Sequence, residues 1–358
     1  MVAVHIFLLG TMFCGYYYFT IDLGEWILKN EKRKEFIMEN YKQWFKDAKF
    51  GMMIHFGLYS LLAGEWKGKR TDIIAEWAQS CFQIPIKEYE KLMQAFNPVF
   101  FDADEWCDLA VAAGMKYIVV TTKHHEGFAL FDSKVDDYNV MHTPFGRDII
   151  KELSVACRNR DLKFGIYYSQ ELDWHEEHGG GYTETFETNQ GKPWTNTWDF
   201  PNTKKDFEIC FRKKTIPQVT ELLTNYGDID LIWFDTPQDI TKEQSVELYN
   251  LVKKYQPNCL INSRIGNGMG DYGSSGDNET DAESNGMLYE VPATLNDTWG
   301  YKAYDQNWKD AETVLKIKNE LNERGINYLL NVGPDALGRI PAPSELILRE
   351  VGKRKISE

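Results

Sequence analysis

Short apolar runs recur along the chain, and stretches with a helical spacing of apolar residues lie between them. Within the runs, apolar residues follow one another without alternation, which is typical of strands buried on both faces of a parallel sheet. The stretches between them have the spacing of amphipathic helices. We predict strands over 51–57, 116–122, 162–169, 231–235, 259–264, 287–291 and 326–334, and helices over 85–96, 102–113, 148–160, 204–225, 242–255, 310–324 and 344–355.

The alternation of strands and helices determines the predicted fold class. Seven strands alternating with helices predict an α/β protein with a (β/α)8 TIM-like barrel, in which one strand escapes the apolar pattern. A chain of 358 residues can bury one large core. The sequence shows neither an internal repeat nor a linker rich in Pro and Ser, so we predict a single catalytic domain over 38–358.

The first residues do not fit the barrel pattern. Residues 1–20 are apolar but lack a basic start and a clear cleavage site, and the apolar stretch is short for a membrane span. Met38 begins a segment that runs directly into the first predicted strand. We therefore interpret residues 1–37 as an N-terminal extension or a weak signal-like segment. We expect a cytoplasmic protein, with secretion as the alternative if residues 1–20 act as a signal peptide.

Charge and cysteine content narrow the range of partners. The chain has 40 basic and 54 acidic residues and a net charge of −14, without a run of Lys and Arg interleaved with aromatic residues. Nucleic acid and anionic membranes are therefore poor candidates as partners. The six cysteines include no CxxC pair, and we interpret them as reduced, buried and structural, which suits the cytosol. The sequence leaves open whether the protein forms a homo-oligomer.

Polar and ionisable side chains stand at nearly every predicted strand end, where barrel enzymes keep their active sites. Asp235 is the most informative of them, because an unbroken apolar strand leads into it. A lone acid in this position could equally open a turn or cap the next helix, but polar residues stand at most of the other predicted strand ends as well. They are His55, His124, His125, Tyr167 or Tyr168, Trp233, Arg264, Glu290 and Asn331.

Two kinds of chemistry compete for this set of residues. Barrel metallohydrolases also collect His and Asp at strand ends, but the first strand lacks their His-x-His pattern, and the adjacent His124 and His125 cannot both point the same way from an extended strand. Neutral imidazoles, a guanidinium and aromatic faces instead suit a ring of hydroxyl groups. Two carboxylates on different strands, Asp235 and Glu290, suit glycoside hydrolysis. We therefore predict no metal and no organic cofactor.

Longer strings of residues surround these strand ends. They include GMMIHFGLYS, KHHEGFALFDS, LIWFD, INSRIGNG, YEVPATLNDTWGY and INYLLNVGPDALGRIP. Together they resemble the α-L-fucosidases of glycoside hydrolase family 29 over about residues 42–345. The strings GEWKG, YYSQELDWH, GGGYT and GDNET are most similar to small single-domain bacterial enzymes that prefer α-1,6-linked fucose. Family members commonly carry a β-sandwich after the barrel, and we expect this chain to lack one.

The resemblance implies roles for individual residues. Asp235 matches the family's nucleophile, and Glu290 matches the position of the general acid/base. Asp277 in the GDNE string competes for the acid/base role, and Glu76 is a weaker competitor. The apolar neighbours of Glu290 would raise its pKa, as an acid requires, whereas Asp277 lies on a loop rich in Gly and Ser. Fucose-binding positions are matched by His55, His124, His125, Tyr168, Trp233 and Arg264, and Glu76 and Trp77 of the AEW string are further substrate contacts.

The resemblance and the strand-end residues lead to one expected function. We expect a retaining exo-α-L-fucosidase that releases terminal L-fucose from a fucosylated oligosaccharide or glycopeptide, with α-1,6-linked fucosyl-N-acetylglucosamine as the best substrate. The loop over 170–203 is expected to cover the cleft and to contact the aglycone. The alternatives are a fucose-binding protein that has lost catalysis and a metal-dependent barrel hydrolase. The presence of both Asp235 and Glu290 favours the enzyme.

Overall fold

The structure, a computed structural model, describes residues 41–179 and 194–356. Our interpretation of residues 1–37 and the central part of the loop over 170–203 therefore fall outside the described residues. The chain divides into two compact units, Met1–Asp47 and Ala48–Glu358, and the described strands belong to the second. In the first unit, residues 41–47 are helical. Within the described ranges, no helix is both long and apolar enough to span a membrane.

Eight parallel strands form the sheet that carries the site. In chain order they are β1 (Phe50–Ile54), β2 (Tyr117–Lys123), β3 (Lys163–Ser169), β4 (Leu231–Asp235), β5 (Leu260–Ile261), β6 (Gly273–Ser274), β7 (Tyr289–Thr294) and β8 (Ile326–Val332). The neighbour order is β5-β4-β3-β2-β1-β8-β7-β6, so strands that follow one another in the chain pair, and β1 pairs with both β2 and β8. The predicted α/β barrel class is confirmed.

The strand that the apolar pattern did not reveal is β6. It consists of Gly273 and Ser274, within a polar loop, and pairs with the start of β7. A parallel bridge between Asn262 and Tyr272 joins the chain after β5 to the chain before β6, and so brings the two edges of the curled sheet together. The strand escapes prediction because its backbone supplies the pairing while its two small residues add no apolar signal.

Helices surround the sheet. The longer ones are α1 (Ala103–Ala112), α2 (Ile149–Arg158), α3 (Ile216–Asn225), α4 (Lys242–Tyr255), α5 (Ala311–Glu323) and α6 (Ala342–Ile356). Asp102, Asp148, Thr241 and Asp310 precede four of these helices, and each side chain accepts an N–H of the first turn, which is why these starts were predicted to within a residue.

Two predicted helices are less regular than expected. The stretch over 85–96 divides into a short helix, Ile86–Tyr89, and a 3₁₀ turn, Glu90–Ala95. The stretch over 204–225 becomes helical at Phe207–Cys210 and passes through a π-helical turn, Phe211–Thr215, before α3. Apolar spacing alone does not distinguish these variants from an α-helix, because their side-chain periods differ little over one turn.

The strand β7 begins and ends later than predicted, at Tyr289–Thr294 instead of 287–291. The prediction stopped before Pro292 because proline has no N–H for a ladder bond. The carbonyl oxygens of Leu288, Glu290 and Pro292 accept N–H groups on the β6 side, so the missing N–H of Pro292 falls beyond the end of the two-residue β6. Glu290 is consequently the second residue of its strand and pairs with Asn327 near the start of β8.

The apolar side chains of strands and helices pack into one large core that includes Met52, Ile118, Ile232 and Leu330. The five described cysteines are free. Cys107, Cys157, Cys210 and Cys259 are buried, as expected, and Cys81 is half-buried.

Candidate active site

A cavity of about 380 Å³ opens at the C-terminal ends of the strands. Barrel enzymes bind substrate at this edge of the sheet, and the volume falls within the range of small-molecule sites. Of the residues proposed from the sequence, His55, Glu76, Trp77, His124, His125, Trp233, Asp235, Arg264 and Asp277 line it. Met53, Ile74, Tyr167, Trp194, Thr236, Pro237, Gln238 and Trp299 complete the lining among the described residues.

Asp235 ends β4 and reaches into the cavity with its side chain 14% exposed. The hydroxyl of Tyr167 donates to Oδ2 of Asp235 at 2.8 Å, and Nη1 of Arg264 donates to Oδ1 at 3.0 Å. Nε2 of His125 lies 3.9 Å from Oδ2. These donors fix the carboxylate in one orientation without burying it completely, as a nucleophile that must meet a substrate requires.

Arg264 connects two carboxylates of the cavity. Its Nη2 donates to Oδ1 of Asp277 at 2.6 Å and to the carbonyl oxygen of Ser275 at 2.9 Å, while Nη1 contacts Asp235. The guanidinium lies over the ring of Trp233, 4.6 Å from its centroid. Burial alone would lower the pKa of Arg264, but the charges of Asp235 and Asp277 outweigh it and hold that pKa above its usual range. One fixed cation thus holds both acids on the same side of the cavity.

Three histidines form another side of the cavity as neutral rings. Burial lowers the pKa of His55 to about 4, against the opposing effect of the hydrogen bond between its Nδ1 and Oδ1 of Asn331 at 2.7 Å. Burial and the neighbouring positive charges also lower the pKa values of His124 and His125 well below the usual range. Nδ1 of His125 bonds to Oγ of Ser169 at 2.8 Å. Neutral imidazoles can both donate to and accept from sugar hydroxyls.

Glu76 lies in the cavity wall on a 3₁₀ turn, Ala75–Trp77. Its Oε2 accepts the N–H of Gly300 at 2.8 Å and contacts Oγ1 of Thr298 at 3.3 Å. Burial raises the pKa of Glu76 to about 7 although these hydrogen bonds oppose the rise. The carboxyl group is therefore an anchored part of the wall, with one oxygen committed to the backbone.

Tryptophan rings form the apolar part of the site. The ring of Trp77 packs edge-on against Trp174 and Trp194, with centroids at 5.2 and 4.9 Å. Trp299 lies 5.1 Å from the ring of His55. Aromatic faces beside hydrogen-bonding groups are suited to a ligand with one apolar face and several hydroxyl groups.

The described residues contain no group of potential metal ligands. Within residues 41–179 and 194–356, no three His, Cys, Asp or Glu side chains lie close enough together to hold a metal ion.

Comparison with known proteins decides the family. A family model described as Alpha-L-fucosidase matches residues 29–354. The chain belongs to the α-L-fucosidase family. Human plasma α-L-fucosidase is 30% identical over 338 residues, which are 86% of this chain and 66% of that protein. The chain thus spans about two thirds of the length of this curated relative.

Solved structures of the family are more similar still. Alpha-L-fucosidase AlfC from Lactobacillus casei, in complex with α-L-fucose product, is 52% identical with a TM-score of 0.85, over 89% of this chain and 98% of that one. A variant of AlfC in complex with Fucα(1,6)GlcNAc is 52% identical with a TM-score of 0.84, over 88% and 98% of the two chains. The family consists of glycoside hydrolases, so the expected enzyme class is confirmed.

For this member of the fucosidase family, the assignment of Tyr168 to the cavity is wrong. Successive side chains of a strand point to opposite faces, so Tyr167 and Tyr168 cannot both reach the cavity. Tyr167 lines it and contacts Asp235, whereas the hydroxyl of Tyr168 donates to Oε1 of Gln218 at 2.9 Å on the helix side of the sheet. The sequence left both tyrosines open at the strand end, and the choice between them depends on the register of β3.

The placement of Glu290 at the cavity is also wrong. Its side chain is fully buried in the barrel interior, where Oε2 accepts the hydroxyl of Tyr117 at 2.6 Å and Oε1 accepts Nε1 of Trp233 at 3.0 Å. Burial raises the pKa of Glu290 to about 7 although both hydrogen bonds oppose the rise. The apolar surroundings of Glu290 were predicted correctly. However, β7 begins at Tyr289, so Glu290 stands at the start of the strand and its surroundings are the barrel interior beneath the cavity.

Some cavity residues were not proposed from the sequence. Trp299 lies within the string YEVPATLNDTWGY, and Trp194 lies in the aromatic-rich loop over 170–203, so both carried a signal that could have been used. Thr236, Pro237 and Gln238 directly follow Asp235 and line the cavity as a consequence of their position in the chain. Met53 and Ile74 carried no such signal.

Proposed function

We propose that the chain is a retaining exo-α-L-fucosidase that uses Asp235 as nucleophile and Asp277 as general acid/base. The observation that carries this proposal is the bridge from one guanidinium, that of Arg264, to both carboxylates. Retaining glycosidases need two carboxyl groups close together, about 5 Å apart. Contacts of 3.0 and 2.6 Å to the two terminal nitrogens of one guanidinium place Asp235 and Asp277 beside the same cation.

The reaction follows in two steps. Oδ of Asp235 attacks the anomeric carbon while the carboxylic acid of Asp277 gives its proton to the glycosidic oxygen, and the bond between that carbon and oxygen breaks. This leaves fucose as an ester of Asp235 and Asp277 as a carboxylate. The carboxylate then takes a proton from water, the water oxygen attacks the anomeric carbon, and the ester bond breaks. Two inversions at one carbon give net retention.

Asp277 suits the acid/base role better than the two other acids. Its side chain is 47% exposed and lines the cavity, so it can reach both the leaving oxygen and incoming water. Glu290 has no exposed surface. Burial raises the pKa of Glu76 to about 7, but one of its oxygens is committed to the N–H of Gly300. Asp277 is therefore preferred to Glu290 as the acid/base, the reverse of the order expected from the sequence.

The sugar-binding part of the proposal uses the neutral rings. His55, His124 and His125 offer hydrogen bonds to hydroxyl groups without adding charge, and Trp233 offers an aromatic face. A rigid site of this kind favours one sugar ring over others, because an unmatched hydroxyl group leaves a buried polar atom unpaired.

Linkage and mechanism draw support from AlfC. The AlfC variant bound to Fucα(1,6)GlcNAc supports α-1,6-linked fucosyl-N-acetylglucosamine as the preferred substrate here. Two other AlfC variants are described as fucosyltransferase mutants. Transfer to an acceptor follows naturally from a fucosyl-enzyme, since an alcohol can take the place of water, and this supports the retaining pathway.

A panel of linkage-defined fucosyl disaccharides tests the proposal. We expect hydrolysis that is fastest for the Fucα(1,6)GlcNAc linkage, with α-L-fucose as the first anomer seen by NMR and with no loss of rate after chelation. Faster cleavage of another linkage would overturn the preference alone. Release of the β-anomer would overturn the retaining mechanism, and fucose binding without turnover would make the chain a binding protein.

A further inference from the structure

A strained turn directly follows the nucleophile. Thr236 has a φ of +55°, in the left-handed region that a β-branched residue rarely adopts. Its Oγ1 donates to the carbonyl oxygen of Asp235 at 2.8 Å, and residues 236–238 line the cavity. Relaxation of this turn would therefore move the backbone that carries the attacking carboxylate. Such a conformation persists only where its surroundings hold it in place.

Glu171 holds the far side of this turn. Its carboxylate is 2% exposed and accepts three consecutive backbone N–H groups, those of Gln238, Asp239 and Ile240, at 2.8, 2.7 and 3.1 Å. Burial raises the pKa of Glu171 to about 7, although these three hydrogen bonds oppose the rise. Because α4 begins at Lys242, the same contacts fix the turn against the start of a helix.

Gln170 holds the near side, at the nucleophile itself. Its Oε1 accepts the N–H of Asp235 at 2.7 Å and its Nε2 donates to the carbonyl oxygen of Arg264 at 2.9 Å, with the side chain 1% exposed. The β4–β5 ladder ends at the pair Ile232 and Ile261, so the last residues of β4 have no strand partner on that side. The side-chain amide of Asn262 replaces the missing ladder bonds at Phe234, where it accepts the N–H and donates to the carbonyl oxygen, both at 2.9 Å, and Gln170 fixes the next residue, Asp235.

We propose that Gln170 and Glu171 are positioning residues that set the attack geometry of Asp235. The inference rests on the proposed function. Neither residue is among the described residues that line the cavity, so both act through the backbone of residues 235–240. The three histidine rings proposed to bind fucose lie on other segments, at His55, His124 and His125. Loss of either positioning residue should therefore slow the chemical step while fucose still binds.

Variants at the two positions test this separation. We expect Glu171→Ala and Gln170→Ala to lower kcat on a nitrophenyl α-L-fucoside by about 10²-fold, the effect of a misplacement of roughly 1 Å. The Kd for L-fucose, measured by calorimetry, should stay within about threefold, since the sugar contacts are intact. Glu171→Gln keeps one acceptor oxygen for the turn and should recover about tenfold of the lost kcat.

Asp148→Ala is the matched control. The carboxylate of Asp148 accepts the backbone N–H groups of Lys151 and Asp132 at 2.8 and 3.0 Å, and it lies outside the described cavity lining. This variant should lower the melting temperature and leave kcat unchanged. The comparison separates loss of a carboxylate that anchors backbone N–H groups in general from loss of the anchors beside Asp235.

The outcomes are distinct. If Glu171→Ala and Gln170→Ala keep kcat within about threefold, or lose fucose affinity as strongly as kcat, the positioning role is wrong. If Glu171→Ala does not fold, Glu171→Gln and Gln170→Ala decide the question by the same criterion. If the wild-type protein does not hydrolyse the fucoside at all, the proposed function fails instead.

Discussion

Asp235 and Glu290 lie in the same barrel at opposite ends of their strands, and their surroundings differ accordingly. Asp235 ends β4, contacts a guanidinium and a hydroxyl group, and opens to the cavity. Glu290 stands at the start of β7, is fully buried, and accepts hydrogen bonds from two neutral donors. Position along the strand thus separates a residue that can react from one that supports the site, although both are acids in apolar sequence.

Trp233 connects the two ends. Its indole Nε1 donates to Glu290 below, while its ring lies under the guanidinium of Arg264 and stacks at 5.5 Å on Tyr167. Both residues above it contact Asp235. The lower acid therefore influences the upper one through an aromatic ring, by keeping that ring in place.

Removal of the upper acid should have the largest effect. Asp235→Ala should reduce kcat on aryl fucosides by about four orders of magnitude or more, because the covalent intermediate can no longer form. The protein should remain folded, since Arg264 keeps its contacts with Asp277 and Ser275. Turnover within about tenfold of wild type would remove Asp235 from the nucleophile role.

The acid/base role can be tested by comparing alanine variants of the two candidate residues, Asp277 and Glu290. Asp277→Ala should slow fucosides with poor leaving groups by about 10²- to 10⁴-fold and those with good leaving groups far less, because only the former need a proton. Added azide should restore turnover as a fucosyl azide of retained configuration. Glu290→Ala should show neither behaviour. If the two variants behave the other way round, the roles must be exchanged and the comparison fails.

Changes at the lower acid should appear mainly in stability. Glu290→Ala should reduce the free energy of unfolding by about 3–5 kcal/mol, because it leaves a cavity and two buried donors, those of Tyr117 and Trp233, without this acceptor. Glu290→Gln should cost about 1 kcal/mol, since an amide can accept from Trp233 and donate to Tyr117 Oη. Denaturant unfolding of the two variants measures both values. Equal losses would show that hydrogen bonding does not decide the stability of this region.

A smaller effect than the loss of Glu290 is expected from pH, acting on a neutral ring of the cavity. The pKa of His55 is lowered from 6.5 to about 4, so its stability contribution is present above pH 6.5 and is lost as the pH falls toward 4. His55→Asn should therefore cost about 2 kcal/mol less stability near pH 5 than near pH 7. Denaturant unfolding at the two pH values measures the difference. An equal cost at both would mean that the folded protein holds a charged His55.

Simple patterns in the sequence predicted the barrel and the strand-end part of the cavity, whereas Glu76, Trp77 and Asp277 were proposed from the resemblance to the fucosidases. Unbroken apolar runs located the long strands, and the acid that ends β4 was correctly placed at the cavity. Side chains alternate between the two faces of β3, but the sequence of this strand does not show which face points into the cavity. Tyr168 was therefore assigned to the cavity, although Tyr167 lines it. Register depends on pairing with neighbouring strands, which a single strand's sequence does not specify.

The error at Glu290 and the missed β6 have a common cause. The two-residue β6 is held by backbone bonds and carries no apolar signal, and its short length is what accommodates Pro292 within β7. Without that strand, Pro292 marks a strand end and Glu290 appears to stand at the cavity. The hydrogen bonds of Gln170 and Glu171 could not be predicted from the sequence either, because side-chain bonds to a distant part of the backbone leave no periodic pattern.

Covalent labelling tests the central claim most directly. A fluorinated fucosyl inactivator slows the second step more than the first, so the fucosyl-enzyme accumulates and can be located by peptide mapping. We predict one fucosyl group per chain on the peptide that contains Asp235, with no label on Asp235→Ala. Label on Asp277, Glu76 or Glu290, or inactivation without a covalent adduct, would contradict the account.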